Sequence, residues 1–183
     1  MVRKVVCYIA TSADGYIARP DGSFDWLTKK RGEGDAPDYG FKEFMASVDT
    51  VIWGRTTWDQ VQGWAESDPT MSESRTKNYV FTSSPDAQPA KDGVVYTNED
   101  VAPFMQRLRA QPGRDIWMMG GGKTIASFLD AGEIDEFIIH VMPVFLGQGI
   151  PLIAPLQRDV EMRLLRTKSY QDLVVMLHYE VIR

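Results

Sequence analysis

The sequence predicts an α/β fold: a mostly parallel, twisted sheet of about eight strands, with helices on both faces and a C-terminal antiparallel hairpin. Short β-branched runs alternate with segments of helical spacing, which is typical of parallel strands joined by helices. The tail at 160–183 instead alternates apolar and polar residues on both sides of a turn near 169–172. That pattern predicts two antiparallel strands at the edge of the sheet.

Six strands before the hairpin are predicted from compact runs rich in β-branched and aromatic residues. They are "VRKVVCYIA" (2–10), "TVIWG" (50–54), "NYVFTSS" (78–84), "GVVYT" (93–97), "RDIWMMGGG" (114–122) and "DEFIIHVMPVF" (135–145). Ligands of such folds bind outside the carboxyl ends of the strands. The loops that follow these strands are therefore the places to search for a site.

Four helices are predicted between the strands. They are "DYGFKEFMASVD" (38–49), "RTTWDQVQGW" (55–64), "NEDVAPFMQRLRAQPG" (98–113) and "KTIASFLDAG" (123–132). In the first, Phe41, Phe44 and Met45 recur at helical spacing. In the third, Asn98 is a plausible N-terminal cap, and Gly132 is expected to stop the fourth.

Composition and charge indicate one globular domain spanning 1–183. The chain has 183 residues, 44% hydrophobic and 25% charged, so it can bury a full core. Its net charge of −5 argues against nucleic-acid binding, because such proteins present a basic face to phosphates. The only basic run, "KKR" at 29–31, is expected to be a solvated loop.

Cysteine and histidine usage excludes several classes of site. Cys7 is the single cysteine, which rules out an intramolecular disulfide and a cysteine-based zinc site. His140 and His178 lie in strand patterns without a second candidate ligand nearby in sequence, so no metal is expected. The N-terminus lacks the pattern of a signal peptide, and no run is long enough to span a membrane. We therefore expect a cytoplasmic protein that does not bind membranes.

The segment "MMGGGKTI" at 118–125 follows a strand and opens a helix. A triphosphate-binding loop would require glycine at position 117, which is Trp117, and the dinucleotide fingerprint would require glycine at position 125, which is Ile125. What remains is a turn that permits close backbone approach and aims helix N–H groups at an anion such as a diphosphate. A tight turn with no ligand is the alternative.

Two further strand ends carry groups that favour anions. "WGRTTWD" at 53–59 places an arginine and two threonines at a helix start, and "FTSS" at 81–84 adds two hydroxyls. The arginine fork suits a phosphate, and the hydroxyls either cap helix N–H groups or donate to phosphate oxygens. Three such strand ends favour an extended phosphorylated cofactor, and a dinucleotide fits better than a single phosphate.

Taken in order and spacing, these motifs resemble the dihydrofolate-reductase-like superfamily. They are "IATSADGYIA", "WGRTTWD", "VFTSS" and "MMGGGKTIASFLDAGEIDEFIIHVMPVFLGQGIPL". The closest resemblance is to the reductase domain of riboflavin biosynthesis and its stand-alone bacterial relatives, and it covers nearly the whole chain. It implies an eight-stranded, mainly parallel sheet and NADPH as the cofactor.

The resemblance also implies which residues bind the cofactor. Ala10 and Ile17 border the nicotinamide, and Ser83 and Ser84 lie near the adenosine 2′-phosphate. Phosphate contacts at the two helix starts are implied for Gly54, Arg55, Thr56 and Thr57, and for Gly120, Gly121, Gly122, Lys123 and Thr124.

Two residues are candidates on the substrate side. Dihydrofolate reductases place a carboxylate at the start of the helix that precedes the "GR-x-T" strand, and Asp38 stands at the matching interval, 16 residues before Gly54. Asp38 is thus either the catalytic carboxylate or a helix cap. Trp26 belongs to a "DW" pair typical of the stand-alone relatives, and it either lines the substrate pocket or anchors a loop on the core.

The function implied is an NADPH-dependent reductase that transfers a hydride to a small heterocyclic or carbonyl/imine substrate. It would be related to 5-amino-6-(5-phosphoribosylamino)uracil reductase, although one cysteine cannot supply the zinc deaminase motif of the bifunctional enzyme. The alternatives are a non-catalytic nucleotide-binding or sensory module and a flavin-binding protein. Relatives suggest a homodimer, and the apolar segment at 142–156 is either its interface or a buried loop.

Overall fold

The computed structural model describes residues 2–28, 37–65 and 76–183. The basic run at 29–31 lies outside the described residues. Within the described part, no helix combines the length and the apolarity that crossing a membrane requires.

One eight-stranded sheet organises the molecule. Its strands are β1 (Val5–Ser12), β3 (Val48–Gly54), β4 (Lys77–Phe81), β5 (Val94–Thr97), β6 (Asp115–Gly120), β7 (Glu136–Met142), β9 (Met162–Ser169) and β10 (Val175–Val181). The spatial order is β5-β4-β3-β6-β1-β7-β10-β9. The first six strands in this order run parallel, whereas β10 is antiparallel to β7 and β9 is antiparallel to β10. The predicted parallel sheet with a terminal hairpin is confirmed.

The four predicted helices are present. They are α1 (Phe41–Ser47), α2 (Arg55–Ala65), α3 (Val101–Arg109) and α4 (Gly122–Asp130), and a short 3₁₀ helix at Pro85–Ala87 was not predicted. The predicted cap of α3 is wrong. The N-cap residue is Asp100, which makes no side-chain capping hydrogen bond, and Asn98 lies before it. Gly132 follows α4 with a φ of 72°, the left-handed backbone that glycine adopts without strain.

A second, two-stranded sheet was also not predicted from the sequence. It pairs β2 (Tyr16–Ala18) with β8 (Ile150–Pro151), two runs too short to show a period. The N–H of Leu152 extends the contact by donating to the Gly15 carbonyl at 2.9 Å. This small sheet ties part of the 142–156 segment to the loop after β1, although Phe145 in the same segment is 78% exposed.

Helices cover both faces of the central sheet, as predicted. On one face α3 and α4 contribute Phe104 and Phe128 to a core cluster that contains Ile52 of β3. On the other face α1 and α2 contribute Phe44 and Trp58 to a second cluster, which contains the β3 neighbours of Ile52. Successive strand residues point to opposite faces, so each parallel strand is apolar on both sides.

Trp26 lies in the segment that follows β2 and belongs to a third, smaller cluster of buried residues. Its side chain is fully buried and packs with Met142 and Val174. A large side chain packed on all sides in this way holds its segment against the core. Of the two roles predicted for Trp26, the structure therefore favours the loop anchor.

We expect Trp26→Ala to lower the free energy of unfolding by about 3–5 kcal/mol, because it empties a large buried site. Trp26→Phe, which refills part of the space, should lose clearly less, as measured by urea unfolding. A loss below about 1 kcal/mol in Trp26→Ala, together with weakened ligand binding, would contradict the anchoring role.

Candidate functional site

A cleft of about 1270 Å³ runs along the carboxyl ends of the parallel strands. Parallel strands present their carboxyl ends at the same edge of a sheet, so the loops that follow them meet there. A pocket for one drug-sized ligand typically occupies about 300–1,000 Å³. This cleft is large enough for an extended cofactor together with a small second molecule.

Most of the predicted site residues lie together in this cleft. Those that line it are Ala10, Ile17, Asp38, Gly54, Arg55, Thr56, Thr57, Ser83, Gly121, Gly122, Lys123 and Thr124. Three predicted residues do not line it: Ser84, Gly120 and Trp26. Gly120 is buried at the end of β6, and Ser84 is exposed at the start of the 3₁₀ helix.

The glycines allow the loops after β3 and β6 to touch. The Gly121 N–H donates to Thr57 Oγ1 at 2.9 Å. A Cβ atom on Gly121 would lie 2.9 Å from the same hydroxyl oxygen, and one on Gly122 would lie 2.5 Å from the Pro151 carbonyl oxygen. Gly120 has a φ of 93°, and the Gly120–Gly121 peptide bond is cis. A side chain at Gly121 would push the loop after β6 away from Thr57, and one at Gly122 would push it away from the β8 segment.

The first turn of α4 forms an anion-favouring end of the cleft. The helix starts after Gly121 and has no side-chain capping hydrogen bond. The N–H groups of a first helical turn lack intrahelical acceptors and carry the positive end of the helix dipole. Lys123, which is exposed in that turn, adds a full positive charge. This end of the cleft suits a diphosphate.

Arg55 supplies a second cation at the start of α2. Its Nε lies 2.7 Å from the Asp59 carboxylate one helical turn later, and the side chain is 36% exposed. The guanidinium has five N–H donors, and the remaining ones suit the oxygens of a phosphate. Ser83, exposed after β4, adds a hydroxyl to the same stretch of the cleft.

Asp38 lies just before α1, and its carboxylate is hydrogen-bonded to the backbone there. Its carboxylate accepts hydrogen bonds from the backbone N–H groups of Gly40 at 3.0 Å and Lys42 at 3.4 Å. These two bonds hold the pKa of Asp38 below its usual value, so the group is ionised at neutral pH. The N-cap residue of α1 is Gly40, and Asp38, two residues before it, contacts the helix through the Lys42 N–H. As an anion it can orient a donor, but it holds no proton to give.

The cleft also has an aromatic end, which was not predicted from the sequence. Its walls include Tyr8, Phe41, Trp117, Met119 and His140. Tyr8 and Trp117 lie on neighbouring strands of the face covered by α1. The sequence held part of the signal, because Tyr8 lies two residues before Ala10, whereas the pairing of His140 with Ala10 is seen only in the structure. Period-2 alternation places such residues on the face of Ala10.

The residues present fit a dinucleotide. Gly121 and Gly122 leave space beside Thr57 and Pro151 that Cβ atoms would fill. The first turn of α4, which has no side-chain cap, begins at these glycines. Within the described residues, no cluster of three or more His, Cys, Asp or Glu side chains could hold a metal ion.

The sheet order, the terminal hairpin and the strand-end cleft define the dihydrofolate-reductase-like class of fold. The sequence profile of the RibD C-terminal domain matches residues 3–176, so the chain belongs to the RibD C-terminal domain family. The uncharacterized protein YwjB of Bacillus subtilis is 43% identical over 179 residues, covering 98% of each chain.

Two solved structures show the same architecture. A putative riboflavin biosynthesis protein from Shewanella sp. PV-4 superposes over 100% of both chains with a TM-score of 0.85 and 27% identity. Dihydrofolate reductase from Enterococcus faecalis, solved with NADP(H), superposes with a TM-score of 0.61 at 16% identity, covering 99% of this chain and 97% of that one. The suspected relationship to the superfamily and to the riboflavin reductases is confirmed.

The contact between the two glycine loops can be tested at Gly54. A Cβ atom there would overlap the Thr124 hydroxyl, whereas it would lie an ordinary 3.5 Å from Thr124 Cβ. We expect Gly54→Ala to cost about 1–3 kcal/mol of stability, the usual cost of overpacking. Adding Thr124→Ala should recover most of that loss, because it removes the overlapping oxygen. Urea unfolding of the four proteins in the cycle measures this coupling, and strictly additive losses would contradict the predicted contact.

Proposed function

We propose that this chain is an NADPH-dependent reductase that transfers a hydride to a small heterocyclic or carbonyl/imine substrate. The observation that carries the proposal is one cleft lined both by a glycine loop with nearby cations and by aromatic side chains. The glycine loop and its cations suit a diphosphate, and the aromatic side chains suit flat rings. Membership in the RibD C-terminal domain family supports the assignment.

The cofactor's phosphates would lie along the starts of α2 and α4. The N–H groups at Gly122–Thr124 and the Lys123 ammonium would bind the diphosphate. Arg55 would contact a phosphate through its remaining donors, and Ser83 would lie near the adenosine 2′-phosphate. Ala10 and Ile17 would border the nicotinamide, which places that ring beside β1 and close to the aromatic end.

The aromatic end would hold the substrate against the nicotinamide. A bound NADPH supplies the hydride, so the reaction needs no protein nucleophile. The side chains of Tyr8, Phe41 and Trp117 would orient a flat substrate and exclude water around it. Stacking on such side chains adds more binding free energy for a flat ring than for an extended chain.

The proton that accompanies the hydride is not supplied by Asp38 itself. Its two backbone hydrogen bonds keep Asp38 ionised, so it would act by orienting a water or a substrate N–H group. Burial raises the pKa of Tyr8, so its hydroxyl keeps its proton at neutral pH. We therefore propose that a water held at Asp38 relays a proton from bulk solvent to the substrate atom that becomes basic as the hydride arrives, so that the water is left unchanged.

We expect NADPH to bind the purified protein, as followed by nicotinamide fluorescence, and to bind more tightly than NADH. Arg55→Ala should weaken NADPH binding about tenfold or more, because a hydrogen bond to a charged group contributes about 1.5–3 kcal/mol. Arg107→Ala is the matched control, because Arg107 also pairs with one carboxylate, that of Glu99, but lies on α3 and does not line the cleft.

The titration separates the candidate functions. Tight NADPH binding with no turnover across a panel of heterocycles and carbonyl compounds would favour the non-catalytic nucleotide-binding module. No binding of either nucleotide would contradict both the reductase and the nucleotide-binding module. The glycine segment would then be a tight turn without a ligand. A yellow purified protein would indicate a bound flavin.

We also propose that the chain forms a homodimer through the exposed edge strand β9. All eight residues of this edge strand are exposed, including Met162, Leu164 and Leu165. An exposed apolar edge strand is normally covered or blunted.

If β9 forms the dimer interface, sedimentation should give twice the 20.7 kDa chain mass, and Leu164→Lys should give the monomer. Val95→Lys, on an exposed residue of the opposite edge strand β5, should leave the dimer intact. A monomeric wild type would contradict this interface.

A further inference from the structure

His140 is a buried polar residue at the aromatic end of the cleft. It lies on β7, paired with Ala10 of β1, and both residues line the cleft. The residue is 3% exposed, and its Nε2 atom has no hydrogen-bond partner among the described residues. Buried polar atoms are almost always paired, so an unpaired one in a ligand cleft calls for an explanation.

The surroundings of His140 set its charge. Burial lowers the pKa of His140 to about 4, although a hydrogen bond to the Tyr39 backbone opposes the shift. The imidazole is therefore neutral at pH 7 and carries one N–H group. Three aromatic rings surround it, with centroid distances of 4.8 Å to Tyr8, 5.6 Å to Tyr39 and 6.0 Å to Tyr170.

The contact with Tyr39 also sets the tautomer. A backbone group that raises the pKa of a histidine is a carbonyl oxygen, which accepts the N–H. The same Tyr39 carbonyl accepts the hydroxyl groups of Tyr170 at 3.0 Å and Tyr8 at 3.3 Å. Since Nε2 is the nitrogen without a partner, we assign the contact with Tyr39, and with it the proton, to Nδ1. Nε2 then carries a lone pair and no proton, which makes it an acceptor.

We propose that His140 is a substrate-positioning residue whose Nε2 accepts a hydrogen bond from a ring N–H or O–H of the substrate. The inference rests on the proposed function, because it places the substrate at the aromatic end of the cleft. It narrows the substrate class to flat, uncharged heterocycles that carry a donor at their edge. A ligand without that donor leaves Nε2 buried and unpaired, which sites of this kind discriminate against strongly.

The test compares two uncharged ligands, quinazoline-2,4-dione and its 1,3-dimethyl derivative, which lacks the ring N–H donors. Isothermal titration calorimetry would be run with and without NADPH. We expect the wild type to prefer the N–H compound about tenfold or more, as the penalty for an unpaired buried group implies. His140→Phe should lose this preference, because it keeps an aromatic ring and removes the acceptor. His178→Gln, at the other histidine in the sequence, should keep it.

A structural role alone would not produce the same results. If the methyl groups were merely too large, the preference would persist in His140→Phe, and the proposal would be overturned. Equal binding of both ligands by the wild type, or binding of neither, would overturn it too. If the wild type does not bind NADPH but still shows the His140-dependent preference, the proposed function is contradicted and the role of His140 is retained.

A second measurement does not depend on the variant folding. ¹⁵N spectra of the wild type should show His140 with a protonated Nδ1 and an unprotonated Nε2 near neutral pH. The Nε2 resonance should shift on addition of quinazoline-2,4-dione and not on addition of its dimethyl derivative. A protonated Nε2, or an Nε2 resonance that does not respond to the N–H compound, would overturn the assignment.

Discussion

The close approach of two backbone loops is the constraint on which the site depends. The loops after β3 and β6 meet where the Gly121 N–H reaches Thr57 Oγ1, and a Cβ atom on Gly54, Gly121 or Gly122 would collide with a neighbouring atom. Because Gly54 and Gly121 lack side chains, the starts of α2 and α4 can converge at one edge of the sheet. Their uncompensated N–H groups and the nearby cations then face one cleft.

The two ends of that cleft differ in chemistry for a reason that lies in the sheet. The cationic end is built from helix starts, where backbone N–H groups and Arg55 or Lys123 are available. The aromatic end is built from strand residues whose side chains stand on one sheet face, and α1 covers it. One cleft thus combines anion-binding helix starts with aromatic walls, which suits a phosphorylated cofactor with a flat substrate beside its nicotinamide.

Much of this architecture was predictable from residue periodicity, and the exceptions have identifiable causes. The strands and helices were found because each repeats a pattern over several residues. The β2–β8 pair was missed because Tyr16–Ala18 and Ile150–Pro151 are too short to show a period. Trp26 was ambiguous, since sequence does not reveal which side of a loop faces the core. His140 could be placed on a strand, but its unpaired nitrogen depends on the Tyr39 backbone, which is distant in sequence.

A crystal structure grown with NADP⁺ tests the central claim most directly. The account predicts a nucleotide stretched along the carboxyl ends of the strands, with diphosphate oxygens about 2.7–3.2 Å from the backbone nitrogens at the start of α4. The nicotinamide should lie beside Ala10, with the aromatic end open in front of it. A nucleotide bound elsewhere, or an empty cleft in the presence of excess NADP⁺, would contradict the account.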